Sequence, residues 1–245
     1  MIEPNPNIDS SSGLNVESAK RLFDQNDKFH QNKIPSLAKL EDGKLLLSFV
    51  VNNDKNSLES AVVLSTSQDD GNTWSIPKVV YHEPGWSCLN MGGIVRFNDN
   101  FIRLIIGKIK IDFSLGGDEP FSECITGYID SFDGGESWNE EFKEIKLFPE
   151  WTEMYGQSNP HKLKDGRYLM ATMGTLGRDV QWHAGISFCD PKDKFTFSPP
   201  VIIASDPQRH YSDIDVVRLD DGRLLAVIRE HTLLKAVYSH SEDEG

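Results

Sequence analysis

The sequence predicts an all-β fold built from four-stranded units repeated along the chain, the arrangement of a β-propeller. Its apolar runs are short, β-branched and bounded by turn residues, and no stretch keeps a 3.6-residue period over several turns. The turn STSQDDGNTW (65–74) returns as DSFDGGESW (130–138), with the same Ser, Asp, Gly, hydroxyl and Trp in the same order. Around these turns the chain aligns into four similar units.

The units open with KIPSLAKLEDGKLLLSFVV (33–51), GGIVRFNDNFIRLIIGK (92–108), NPHKLKDGRYLMATMG (159–174) and DIDVVRLDDGRLLAVIRE (213–230). Each is an apolar run, a turn built on Asp, Gly or Asn, and a second apolar run, which is a hairpin signal. A third strand follows in SAVVLSTS, CITGYIDS, HAGISFCD and KAVYSHS, and three units close with an outer strand, PKVVYHE, FKEIKLF and PVIIASD. TWSIPKVV (73–80) matches TFSPPVII (196–203), so the third unit keeps only the end of the turn. Counted at its Thr or Ser, the turn falls at 73, 137 and 196, steps of 64 and 59 residues. Such a pitch fits four-stranded blades with long loops on one side.

The repeated turn has a physical reading. Ser67 and Asp69 can accept hydrogen bonds from N–H groups of their own turn. Gly71 can take the positive φ of a tight reversal, and Trp74 can fold back over the sheet edge. Ser131, Asp133, Gly135, Ser137 and Trp138 repeat the arrangement, so a structural role is expected for Asp69 and Asp133.

Composition excludes several classes. With 25 Lys+Arg against 38 Asp+Glu the formal net charge is −13, which argues against a nucleic-acid surface. No apolar run approaches the ~18 residues of a spanning helix. The start, MIEPNPNIDSSSG, lacks a basic segment followed by an apolar one, so a cytoplasmic location is expected. Cys88, Cys124 and Cys189 are odd in number, scattered, and expected to be free thiols. The histidines show no metal-ligand spacing and no phosphate-cradling glycine motif occurs, so neither metal nor cofactor is expected.

In a blade of strands A to D, the A–B and C–D turns share one face and the B–C loops and interblade links share the other. The tight turns fall on the first. The second collects 25–33, 51–58, 83–91, 108–122, 148–160, 174–183, 206–213 and 229–233, which hold Trp86, Trp151, Trp182, His30, His183, His210 and His231. Long aromatic and polar loops mark the ligand face.

The turn S-x-D-x-G-x-[ST]-W resembles the Asp-box of the sialidase superfamily, and the resemblance spans nearly the whole chain from about Leu22. KIPSLAKLEDGKLLLSF is similar to the segment where that family writes Arg-Ile-Pro, and YSDIDVVRLDDGRLLAVIRE to one with a Glu early and an Arg late. The resemblance implies a six-bladed parent and an exo-glycosidase acting on a terminal, acidic sugar of a glycan. Lys33 holds the place of the first arginine of a substrate-carboxylate triad and Arg229 that of the second. Asp213 holds the place of the Glu that supports a tyrosine nucleophile, and Asp54 is the nearest candidate for the acid/base aspartate. Trp86, Trp182 and Tyr211 are expected in the substrate-binding wall, with Tyr155 a further wall residue. Lys33 and Asp213 depart from the family pattern: Lys lacks the planar fork that grips a carboxylate, and Asp is one methylene short.

The family's nucleophile and third arginine come in its final blades. One propeller domain over 1–245 is therefore expected, with a poorly ordered leader at 1–18, as the N-terminal part of a longer protein and inactive alone. A closed four-blade ring, with AKRLFDQ (19–25) pairing onto KAVYSHS, is the alternative architecture. For function the alternatives are a non-catalytic propeller binding glycan or protein, and an assembly-factor propeller.

Overall fold

The computed structural model describes residues 21–23, 31–52, 58, 60–115, 121–146, 152–177, 181–193 and 195–243. Among them are seventeen strands, one 3-10 turn at Phe113–Leu115 and no α-helix. The strands form a four-bladed β-propeller arrangement, as the repeat requires.

Blade one runs β1 (Gln31–Lys39), β2 (Leu45–Asn52), β3 (Ala61–Ser67), β4 (Lys78–Tyr81), and blade two β5 (Ser87–Arg96), β6 (Ile102–Ile111), β7 (Phe121–Ser131), β8 (Lys143–Glu144), each an antiparallel meander. In blade three, β9 (Glu153–Gly156) and β10 (His161–Lys162) share the inner position, both paired with β11 (Tyr168–Thr175). Outside them lie β12 (His183–Asp190), then β13 (Thr196–Phe197) and β14 (Val201–Ala204). Blade four has β15 (Tyr211–Arg218), β16 (Leu224–Glu230) and β17 (Lys235–Ser241).

The core lies between blades because both faces of each middle strand are apolar. Along β6, Ile102, Leu104 and Ile106 face blade one, where they meet Leu46, Val50 and Leu64. The alternate residue Ile105 faces blade three, against Met154 and Met170. Along β11, Tyr168 and Met170 face blade two while Leu169 and Ala171 pack on Ile214, Val216 and Ile228 of blade four. Period-two alternation thus makes every blade an adhesive layer, each buried Leu or Ile contributing about 1.5–3 kcal/mol. Among the described residues a charged pair with both members buried interrupts the apolar layers: Arg103, in the β6 alternation, faces Asp130 on β7 with side-chain exposures of 3% and 7%.

The two S-x-D-x-G-x-[ST]-W turns fold alike. Ser67 Oγ donates to Asp69 (2.8 Å) and accepts from Gly71 N–H (2.9 Å), while Asp69 accepts from Thr73 N–H (2.8 Å) and hydroxyl (2.6 Å). Ser131, Asp133, Gly135 and Ser137 reproduce these four bonds. Both glycines sit at φ 85. The third turn keeps Thr196, now bonded to Asp193 (2.9 Å). These hydrogen bonds, first from the Thr73 or Ser137 hydroxyl, hold the Asp69 and Asp133 carboxyls at about 2, so both aspartates are occupied with structure.

The blades pack in chain order, and among the described residues no substantial packing joins blade four to blade one. Leu22 and Phe23 form no strand; Phe23 stacks on Phe49 of blade one, centroids 5.1 Å apart. The apolar patch of Phe49, Val51 and Val63 takes that ring, so these described residues of the 19–25 segment lie on blade one rather than on β17.

Candidate functional site

Every inner strand is interrupted at the same height. The β1–β2 register shifts between Lys33 and Ser36, β5–β6 between Leu89 and Gly93, β15–β16 between Ser212 and Asp215, and blade three breaks between β9 and β10. Left-handed backbone marks the shifts, with Ile34 at φ 51 and Asp213 at φ 45. Bulges re-aim side chains, and a non-glycine residue at positive φ stores about 1 kcal/mol or more of strain. The inner strands close on one another beneath these shifts: Ser36 Oγ donates to Asn159 Oδ1 (2.6 Å) and accepts from Ile94 N–H (2.8 Å).

Beside this closure, on the face opposite the repeated turns, opens a cleft of about 590 Å³. Blade two contributes Leu89 and Met91, blade three Tyr155, Met173 and Trp182, and blade four His210, Ser212, Asp213, Arg229 and His231. The cleft is therefore two-sided, apolar and aromatic on one flank and polar on the other. Tyr155 and Trp182 stack nearly parallel, centroids 5.7 Å apart at 9°. The Tyr155 hydroxyl donates to Glu153 at 3.3 Å. Burial, with Cys124 and Glu153 adding to it, pushes that hydroxyl well above its ordinary value. Burial also pushes the neighbouring Cys124 thiol up to about 12. Tyr155 is thus held neutral, suited to a wall.

The polar flank is set by strand register. Ser212 lies opposite Arg229 across β15–β16, and His231 follows Arg229 by two residues, so all three share a sheet face. The bulge turns Asp213 to the same side, where its carboxylate meets Arg229 Nη1 at 2.8 Å, both side chains about half exposed. Ser212 Oγ and His231 Nε2 are 2.5 Å apart.

The structure brings together four of the residues expected from sequence: Asp213, Arg229, Trp182 and Tyr155. Tyr211 is not in the wall; paired with Glu230, it faces the other way and packs on the layer between blades three and four. Its backbone N–H donates to the Trp182 carbonyl (3.0 Å), tying the two segments together. Trp86 is also outside the wall, with the Lys108 ammonium 4.7 Å from its ring and Lys108 bonded to Glu83 (2.6 Å). Burial pushes the Glu83 carboxyl up, but hydrogen bonds from Lys108 and Tyr81 outweigh it and hold Glu83 below its ordinary value. Lys33 is half-buried on β1 opposite Val50 and does not line the cleft. Asp54, Trp151 and His30 lie outside the described residues. Leu89, Met91 and Met173 were not singled out from sequence, since nothing distinguishes a cleft-lining apolar residue from a core one. Among the described residues no group of His, Cys, Asp and Glu could hold a metal ion.

No protein-family model and no curated protein matches the chain. Solved structures do. A protein of unknown function from Dyadobacter fermentans superposes with TM-score 0.77 at 20% identity, over 91% of this chain and 69% of that one. The NanB sialidase of Streptococcus pneumoniae gives 0.71 at 15%, over 96% of this chain and 54% of that one. An intramolecular trans-sialidase from Ruminococcus gnavus, in complex with oseltamivir carboxylate, gives 0.69 at 11%, over 92% and 71%. The chain therefore has the propeller fold of the sialidases, and it spans about half the length of the pneumococcal enzyme.

Proposed function

We propose that the chain carries the sugar-binding face of a sialidase-type exo-glycosidase, acting on a terminal acidic sugar of a glycan. The observation that carries this reading is Arg229, a guanidinium on the rim of an aromatic-walled cleft on the face opposite the repeated turns. A guanidinium grips a carboxylate by charge and by paired N–H donors, and Trp182 offers the flat apolar surface on which a sugar ring can rest. Similarity in fold to NanB and the trans-sialidase supports the substrate class. Asp54, which lies outside the described residues, is proposed from the sequence resemblance alone to supply the acid/base group.

A second reading, a non-catalytic glycan-binding propeller, is favoured by one observation. Asp213 is the only carboxylate among the described lining residues, and it is bound to Arg229. Retaining and inverting glycosidases alike need a free pair of catalytic groups.

Calorimetric titration with the dehydrated analogue of sialic acid tests the binding face. Arg229→Ala should weaken binding at least tenfold, the loss expected for a charge-assisted bond. Unchanged affinity removes Arg229 from the site and the acidic-sugar reading with it. Turnover of an aryl sialoside that is lost in Arg229→Ala would favour the enzyme over the binding protein.

A further inference from the structure

We infer that His231, with Ser212, is the specificity element that makes this cleft select an anion, and that it does so only when the imidazole is protonated. The inference rests on the acidic-sugar reading of the cleft.

The charge of the wall carries the argument. Among the described lining residues the only permanent charges are Arg229 and Asp213, and they are bound to each other at 2.8 Å. An incoming carboxylate at Arg229 meets the Asp213 carboxylate beside it, and like charges at such separations oppose each other. Asp213 therefore weakens the preference for an anion over a neutral sugar that Arg229 alone would give.

His231 changes this balance. It shares the sheet face of Arg229 and holds Ser212 Oγ at its Nε2, 2.5 Å away. With the ring neutral and protonated at Nδ1, the serine hydroxyl donates to Nε2 and its hydrogen is used up. With the ring protonated at both nitrogens, Nε2–H donates to Ser212 Oγ, and the hydroxyl hydrogen is released toward the cleft. One proton therefore adds a positive charge and a free donor on the flank where the carboxylate would bind.

The surrounding groups leave this role to His231. On β16, Glu230 is buried and accepts the N–H groups of Thr232 and Leu233 at 2.8 Å each. On blade three, Tyr155 and Glu153 bond to each other, and burial lowers the His183 imidazole from its ordinary value. In the link before β15, Arg209 lies 3.9 Å from Asp206, and His210 gives its carbonyl to the His231 N–H. Lys235, on β17, pairs across the strand with Glu230. His210 is the other titratable imidazole in the wall, and the experiment separates the two.

The dehydrated sialic acid analogue is titrated calorimetrically into the whole chain at about pH 5.5 and about pH 8, on either side of imidazole titration. The wild type should bind about tenfold more tightly at the lower pH, the gain from one charge-assisted hydrogen bond. His231→Gln, which keeps a side-chain partner for Ser212 but cannot be charged, should bind with nearly equal affinity at both. A pH dependence that survives in His231→Gln, or vanishes instead in His210→Gln, overturns the inference. So does pH-independent binding by the wild type, which leaves the acidic-sugar reading standing if Arg229→Ala still weakens binding at least tenfold. Absence of wild-type binding at both pH values defeats that reading and this inference together.

Discussion

The buried pair Arg103–Asp130 gives the sharpest test of how the blades hold together. Asp130 Oδ1 accepts from Arg103 Nε at 2.8 Å and Oδ2 from Nη2 at 3.1 Å, while Nη1 donates to the Phe195 carbonyl of blade three at 2.9 Å. The guanidinium lies 3.5 Å from the Tyr128 ring centroid and within 6 Å of Phe97 and Phe101. Arg103→Met keeps an unbranched apolar stem but leaves Asp130 at 7% exposure with no cation. Removing one partner of such a pair costs about 3–5 kcal/mol, most of it the uncompensated charge. The lost carbonyl bond and ring contact, about 1 kcal/mol each, overlap with that figure rather than adding in full. For a chain of this size, about 3–5 kcal/mol lowers Tm by about 10 °C.

Replacing both members should behave differently. Arg103→Met with Asp130→Leu removes both desolvated charges, and an apolar pair of similar volume often matches the ion pair. The double variant should recover to within about 2 kcal/mol of wild type, a coupling well above the ~0.5 kcal/mol expected of independent sites. Urea denaturation followed by tryptophan fluorescence reads Cm at constant m. A single variant that loses less than about 1 kcal/mol would show that water reaches the pair. A double variant as damaged as the single would show that the loss comes from shape, and either result refutes the charge argument.

Two further outcomes follow from the turns and the inner strands. The Asp69 and Asp133 carboxyls are held at about 2, first by the Thr73 and Ser137 hydroxyls, against an ordinary 3.8. Because their folded values are depressed, their contribution is present above about pH 4 and fades as pH falls from 4 toward 2. Stability measured over that window should lose part of its slope in Asp69→Ala/Asp133→Ala, and an unchanged slope would mean the turns are not carboxylate-latched. At the closure of the inner strands, a Cβ on Gly93 would meet both Asn159 Oδ1 and Ser36 Oγ at 2.3 Å, on backbone at φ 57. Gly93→Ala should therefore break the Ser36–Asn159 bond and cost about 2–4 kcal/mol, from strain and lost hydrogen bonds. A Cm within about 0.5 kcal/mol of wild type would mean that the closure contributes little.

The architecture was legible because it is written in repetition. Short apolar runs such as Leu45–Asn52 and the paired turns at Ser67 and Ser131 fix blade, strand order and the face that carries the loops, each by local chemistry. The wall of the cleft was legible only in part, and the reason lies in the bulges. Ile34 precedes Gly43, and Asp213 precedes Gly222, by the same nine residues, and both take positive φ. Asp adopts that backbone readily and Ile does not, so no residue type announces a bulge that recurs at one height in different blades. Yet the bulge decides which side chains reach the cleft. Without it, Asp213 would alternate to the face opposite Ser212; with it, Ser212, Asp213, Arg229 and His231 share one flank. Tyr211, one residue before the paired serine, stays on the core side, which is why an aromatic in the right loop packs between blades three and four rather than in the wall. The same displacement puts a carboxylate within 2.8 Å of Arg229. It thereby places a negative charge beside the one guanidinium among the described lining residues. On this fold the chemistry of the cleft is set less by which residues the loops contain than by where each inner strand slips its register.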